Sequence, residues 1–187
     1  MDPVLPRQTP DRDTKYMGLA WFHAGFSKDP TTQVGAVIIG PDNRPLGTGY
    51  NGPPGTMDDA EVVWNRPDPD RPEEICKYDL MIHAEINAVD HSGDEDLSKA
   101  TLYVTALPCP ACMLSLCKKR EKKIGRIVYF DFQSDSGSIL QNSKWMNKSL
   151  EIARRSNIKV EKFEGDLSWV PEWTDHLKRL GIFKSGS

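Results

Sequence analysis

The stretch Pro108-Cys-Pro-Ala-Cys112 places two cysteines three residues apart, at the start of a helix predicted to run from Pro110 to Lys123. Residues three apart in the first turn of a helix lie about 60° apart around its axis, so both sulfur atoms can face one point. The positive end of the helix dipole favours thiolates, and the thiolate is the form of cysteine that binds metal. This stretch therefore predicts a metal site at the start of a helix.

A second motif, His83-Ala-Glu85, begins another predicted helix that runs to Asp90. One imidazole and two thiolates suit zinc far better than calcium or magnesium. Three protein ligands leave the fourth tetrahedral position open, which is typical of a catalytic zinc site. Glu85 lies about 200° around a regular helix from His83, a poor position for binding the same ion. We expect Glu85 to flank the metal instead and to take a proton from water.

The segments around the two motifs alternate between strand and helix patterns, which indicates an α/β fold. We expect the loop from Gly52 to Asp79 to be anchored in part by Trp64 and Ile75, and Gly125 to end the helix that follows the cysteines. The predicted strands are Val34–Ile39 and Pro45–Tyr50, paired as a hairpin, and Ala100–Thr105, Arg126–Phe130 and Ile158–Phe163. The other predicted helices are Asp13–Phe26, capped by Asp13, Ile139–Arg155 and Pro171–Leu180.

Length and composition indicate one domain that can bury a core, with 187 residues, 38% hydrophobic and 27% charged. We expect a mobile tail over residues 1–12 and a single domain over 13–187, with its core over 13–165 and a helical extension over 166–187. The net charge of −3 argues against a nucleic-acid partner. The apolar stretches are too short to span a membrane, and the N-terminus lacks a signal pattern, so we expect a cytoplasmic protein with reduced or metal-bound cysteines.

His-x-Glu followed by Pro-Cys-x-x-Cys is the signature of zinc-dependent nucleobase deaminases. The chain resembles the zinc-dependent cytidine/deoxycytidylate deaminase superfamily and, more narrowly, its deoxycytidylate deaminases. The resemblance covers roughly Asp13 to Asp131. Besides the two motifs, it rests on Ser27–Ala36, Gly47–Pro53, Trp64-x-Arg66, Lys77-Tyr78 and Thr101–Thr105.

The resemblance implies a three-layer α/β/α cytidine deaminase-like fold with a mixed sheet of about five strands. It implies one catalytic zinc ion bound by His83, Cys109 and Cys112, and a hydrolase that converts dCMP to dUMP and ammonia. Zinc-bound hydroxide would attack C4 of the base while Glu85, the general acid/base, shuttles protons.

The resemblance also implies substrate contacts and partners. The backbone amide of Ala84 would meet the base, Asn51 would bind the deoxyribose, and Ser27 and Lys28 would lie near the 5′-phosphate. Family members are commonly homo-oligomers, and some are regulated by dCTP and dTTP through the loop that corresponds to Pro53–Asp59. We therefore expect a homo-oligomer, with these effectors as a hypothesis, and neither a membrane nor a nucleic-acid partner.

Two departures from the family pattern keep other functions open. Phe26 stands where the family often has an arginine, and Gln133 stands near the place of a common tyrosine. One alternative is a deaminase of another cytosine nucleoside or nucleotide, or of adenosine in tRNA. Another is a non-enzymatic binding module stapled by zinc, which needs Cys76 as a fourth ligand. Cys117 is more simply interpreted as a core residue.

Overall fold

The computed structural model of the protein describes residues 9–118, 123–130 and 143–170. Within these residues, five strands form one mixed sheet in the order β2-β1-β3-β4-β5. The two pairings of β1 are antiparallel, and those of β4 with β3 and with β5 are parallel. The strands are β1 (Gly35–Ile39), β2 (Pro45–Tyr50), β3 (Thr101–Val104), β4 (Arg126–Tyr129) and β5 (Lys159–Lys162).

Helices cover both faces of the sheet. A short 3-10 turn at Asp59–Glu61 lies in the loop after β2. The helices are α1 (Arg12–Ala24), α2 (Lys77–Leu80), α3 (Ala84–Asp90), α4 (Pro110–Cys117) and α5 (Ser143–Arg155). In this part of the chain no helix has both the length and the apolar character needed to cross a membrane.

The side chains of β1 alternate between two apolar cores. Ala36 and Ile38 pack with α3, α4 and α5 on one face, while Val37 and Ile39 pack with α1 on the other. A strand buried on both faces has a continuous apolar sequence, which is why the β1 segment lacks polar positions. The predicted α/β fold with three layers and a mixed five-stranded sheet is confirmed.

Two glycines of β2 allow α3 to lie close to the sheet. A Cβ atom at Gly47 would clash with the carbonyl oxygen of Ala88, and one at Gly49 would clash with that of Ala84. Replacing either glycine would therefore push α3 outward. The close approach also fixes the position of the first turn of α3, which carries the His-x-Glu motif.

The predicted cap of α1 is wrong. The N-cap is Asp11, whose carboxylate accepts a hydrogen bond from the backbone N–H of Thr14 at 3.0 Å. Asp13 lies inside the first turn and forms an ion pair with Arg126 at 2.6 Å, and it also accepts a hydrogen bond from the Tyr103 hydroxyl. With α1 starting at Arg12, the helix begins within the segment predicted as a tail.

Two other local predictions also differ from the structure. Ile75 is 61% exposed and does not anchor its loop, whereas Trp64 is half-buried. The helix after the cysteines ends at Cys117, before the predicted end at Lys123. Four groups of predictions lie outside the described residues: those on residues 1–8 and 119–122, Gln133, the start of the predicted Ile139–Arg155 helix, and the helix over 171–180.

Candidate active site

Three potential metal ligands meet where α3 and α4 begin. His83 is the N-cap residue of α3, Cys109 is the N-cap residue of α4, and Cys112 lies in the first turn of α4. The Nδ1 atom of His83 lies 3.6 Å from the Sγ atom of Cys109 and 3.2 Å from that of Cys112. Their ligand atoms lie within 4.8 Å of one another, and this is the one such group found among the described residues.

Two hydrogen-bonded contacts hold the motifs in place. Gly52 and Ile82 form an isolated antiparallel bridge, which fixes the chain one residue before His83. From the other side, the buried hydroxyl of Ser149 on α5 donates a hydrogen bond to the carbonyl of Pro108, one residue before Cys109. Each ligand-bearing segment is thus tied to a neighbouring element just ahead of its first ligand.

The three ligands strongly perturb one another's proton affinities. A hydrogen bond with Cys109 raises the pKa of His83 to about 9. Hydrogen bonds from Cys112 and His83 lower the pKa of Cys109 to about 4, while the pKa of Cys112 is raised by its contact with Cys109 and by burial. A divalent cation replaces such shared protons, because it binds thiolate and neutral imidazole. One nitrogen and two sulfur donors fit zinc.

Glu85 lies beside this group but is not part of it. Its side chain belongs to the first turn of α3 and only 4% of the residue is exposed. Burial raises the pKa of Glu85, and the nearby charge of His83 opposes that rise. A carboxyl group with a raised pKa can both take and return a proton closer to neutral pH. Chemically, the arrangement can bind a metal ion and transfer protons next to it.

The site opens into a cavity of about 600 Å³. Five of the residues predicted to act here line this cavity: Asn51, His83, Ala84, Glu85 and Cys109. Ser27 and Lys28 do not line it. Cys112, the third member of the His83, Cys109 and Cys112 cluster (the metal group), is buried and does not line the cavity. Cys76 is absent from the metal group, and its thiol donates a hydrogen bond to the Asp79 carboxylate at 3.2 Å.

The side chain of Asn51 is held firmly in the cavity wall. Its amide oxygen accepts a hydrogen bond from the N–H of Val34 at 2.7 Å, and its amide nitrogen donates to the carbonyl of Thr32 at 2.9 Å. A side-chain amide has two N–H donors, so one further donor remains for a ligand. Ser27 also holds Asn51 in place, since its hydroxyl donates a hydrogen bond to the backbone carbonyl of Asn51 at 2.8 Å.

Sequence reasoning assigned no role to two further features of the cavity wall. One is the buried ion pair between Asp29 and Lys77, which the sequence signalled only through the family motifs. The other is the face of α5 that carries Trp145 and Lys148. Their spacing of three residues along a helix places both side chains on one face, but no local motif links that face to the cysteines.

Comparison with known proteins now identifies the family. Residues 10–130 match the family model described as the cytidine and deoxycytidylate deaminase zinc-binding region. The chain therefore belongs to the cytidine and deoxycytidylate deaminase family, as its motifs predicted. The zinc prediction is confirmed by that zinc-binding region together with the His/Cys/Cys group.

Several relatives carry the name deoxycytidylate deaminase. The human protein is 36% identical over 97 residues, which cover 52% of this chain and 53% of the relative. The protein of Mycobacterium phage D29 is 38% identical over 126 residues, which cover 64% of this chain and 94% of the relative. The chain thus spans about half the length of the human relative and nearly all of the phage relative.

A solved structure shares the fold. The dCMP deaminase from the cyanophage S-TIM5, in complex with dCMP and dUMP, superposes with a TM-score of 0.61 at 19% identity. The superposition covers 84% of this chain and 100% of the cyanophage chain. At this identity the likeness shows the fold alone.

Proposed function

We propose that the protein is a zinc-dependent hydrolase that converts dCMP and water to dUMP and ammonia. The observation that carries this proposal is the group of His83, Cys109 and Cys112 beside the buried Glu85, with His83, Cys109 and Glu85 lining one cavity. The relatives named deoxycytidylate deaminase support this choice of substrate, as does the cyanophage enzyme bound to dCMP and dUMP.

In this proposal His83, Cys109 and Cys112 hold one zinc ion, which when bound lowers the pKa of water toward neutrality. Glu85 accepts the proton that the attacking water loses, and passes it to N3 of the cytosine ring. The same carboxyl group later assists the departure of ammonia from C4. The burial that raises the pKa of Glu85 suits this exchange, because a general acid/base works best when its pKa is close to the working pH.

Two further residues orient the base and the sugar. Ala84 is the first residue of α3, so its N–H has no acceptor within the helix and is available to the base. The remaining N–H of the Asn51 amide would bind the deoxyribose. The rigid attachment of Asn51 to Val34 and Thr32 supports this role, since a fixed donor loses little entropy on binding.

The proposal extends to a cytoplasmic homo-oligomer regulated by dCTP and dTTP. The family resemblance supports these properties, and the Pro53–Asp59 loop is the segment in which we place the effector response.

The decisive test is ammonia release by the zinc-loaded protein from a panel of dCMP, deoxycytidine, cytidine, dCTP and an adenosine-containing tRNA. We expect dCMP to be the best substrate. Glu85→Gln should reduce turnover by about 10²–10⁴-fold, the range typical of a lost general acid/base, while the zinc content stays at the wild-type level. Glu164→Gln, at an exposed position that does not line the cavity, is the matched control.

The absence of ammonia from dCMP, with or without dCTP, would refute the proposed reaction. Full activity of Glu85→Gln would refute the role of Glu85 alone. Faster turnover of another member of the panel would reassign the substrate.

A further inference from the structure

Two lysines line the cavity within the described part of the chain, and one of them is already fully engaged. The ammonium group of Lys77 donates to both carboxylate oxygens of Asp29, at 3.0 and 2.9 Å, and to the hydroxyl of Thr31 at 2.6 Å. An ammonium group has three N–H donors. Lys77 therefore has its donors satisfied and its charge neutralised, and offers nothing to an anionic ligand.

Lys148, in contrast to Lys77, is available to bind an anion. It is exposed, it lines the cavity, and the structure gives it no ion pair among the described residues. The acidic residue one turn further along α5, Glu151, forms ion pairs with Arg154 and Arg155, each at 2.7 Å. Within the described residues, the ammonium group of Lys148 is thus available to a ligand in the cavity.

The position of Lys148 relative to the reacting groups is fixed by the packing of α5. The adjacent residue, Ser149, is buried and bonded to the carbonyl of Pro108, just before the first cysteine ligand. Trp145, one turn earlier on the same helix face, also lines the cavity. Lys148 therefore lies on a helix that is hydrogen-bonded to the residue just before the first cysteine ligand.

The burial of the residues that line the cavity indicates which part of a bound nucleotide lies near each of them. Glu85 and Asn51 are buried, so the base and sugar belong at the inner end. Removing a phosphate dianion from water is costly, so the phosphate belongs at the exposed end, where Lys148 lies. Lys28 does not line the cavity, and Phe26 is an exposed apolar residue.

On these observations we infer that Lys148 binds the 5′-phosphate of the substrate and makes the site prefer a nucleotide to a nucleoside. The inference rests on the proposed function, because it assigns a specificity-determining contact within that same site. A lysine is suited to the role as a compact point charge that attracts phosphate.

The test compares the wild-type protein with Lys148→Gln, Lys148→Arg and Lys144→Gln. Lys144 lies on the same helix and is exposed, but it does not line the cavity. Calorimetry measures the affinities for dUMP and for deoxyuridine, which lacks the phosphate, and steady-state kinetics measure KM and kcat for dCMP.

For Lys148→Gln we expect the affinity for dUMP to fall by about tenfold, as for a lost charge-assisted hydrogen bond, and that for deoxyuridine to stay unchanged. KM for dCMP should rise by about the same factor with little change in kcat, because the phosphate takes no part in the chemistry. Lys148→Arg should retain most of the affinity, and Lys144→Gln all of it.

A Lys148→Gln protein that binds dUMP as tightly as the wild type would overturn the inference. So would equal losses for dUMP and deoxyuridine, or the same loss in Lys144→Gln. These failures are separate from failure of the proposed function. A wild-type protein that binds dUMP through Lys148 but releases no ammonia from dCMP would refute the reaction and leave the phosphate contact standing.

Discussion

The two walls of the cavity are built in different ways. The inner wall consists of the first turns of α3 and α4, where the metal ligands and Glu85 are held by helix starts that pack on the sheet. The outer wall is α5, which meets the ligand-bearing loop through Ser149 and presents Trp145 and Lys148 to the cavity. We propose that the inner wall sets the chemistry, whereas the outer wall contributes to the choice of ligand.

Removing a ligand from the inner wall should have the largest effect. Cys109→Ser should lose both zinc and ammonia release, because a serine hydroxyl is a poor zinc ligand. Metal analysis of the purified protein and the ammonia assay measure the two losses. Cys76→Ser is the matched control and should keep both zinc and activity, since Cys76 bonds to Asp79 rather than to the metal group. Loss of zinc from Cys76→Ser would instead favour a closed, purely structural site.

The buried ion pair of Asp29 and Lys77, which also lines the cavity, should contribute to the stability of the fold. Both side chains are only 3% exposed, so Lys77→Met leaves a buried carboxylate without its partner. We expect this change to lower the free energy of unfolding by about 3–5 kcal/mol, as for other broken buried pairs. Urea denaturation measures the loss. Lys159→Met removes an exposed partner of Glu161, and should cost less than about 1 kcal/mol. An equal loss in the two variants would contradict the assigned burial.

The pH dependence of that loss has a definite sign. In the wild type, burial alone would raise the pKa of Asp29, but hydrogen bonds from Lys77 and the Thr31 amide outweigh it, so the pKa is lowered. The pair therefore stabilises the fold at pH values above the pKa that Asp29 has in the unfolded chain. This stabilisation is lost as the pH falls through the lower pKa that Asp29 has in the folded protein. In Lys77→Met the amides of Thr31 and Thr32 still bond to Asp29, but the ammonium group is gone, so burial raises the pKa of Asp29 relative to the wild type and its ionised form is less stable. The difference between the two proteins should thus be largest near neutral pH and shrink toward about pH 4.

The inner wall could be predicted from sequence because its signals are local. The spacings of His83 to Glu85 and of Cys109 to Cys112 indicate helix starts, and helix starts determine where these side chains lie. Local signals misplaced the cap of α1, because Asp11 and Asp13 are both acids at the start of the helix, and Asp13 is engaged instead by Arg126, 113 residues away. The partner of Asp13 belongs to β4, which no local pattern around α1 could reveal.

The outer wall could not be predicted, because its role depends on contacts between residues that are far apart in the sequence. The helical pattern over α5 was visible, but its role depends on packing against α4, about 35 residues earlier in the chain. The pairing of Asp29 with Lys77 likewise spans 48 residues and lies across a long loop. Contacts of this kind follow from the assembled sheet and helices rather than from a motif.

The smallest expected effect comes from the hydrogen bond that connects α5 to the loop before Cys109. Ser149→Ala removes the hydrogen bond to the Pro108 carbonyl and should cost about 1 kcal/mol of unfolding free energy. Because Lys148 is the adjacent residue, we expect KM for dCMP to rise by about threefold while kcat and zinc content stay close to wild type. Ser115→Ala, at an exposed position of α4, is the control for general effects of the substitution. If Ser149→Ala lowers kcat and zinc content instead, α5 supports the metal group itself, and the division between a chemical wall and a recognition wall would be wrong.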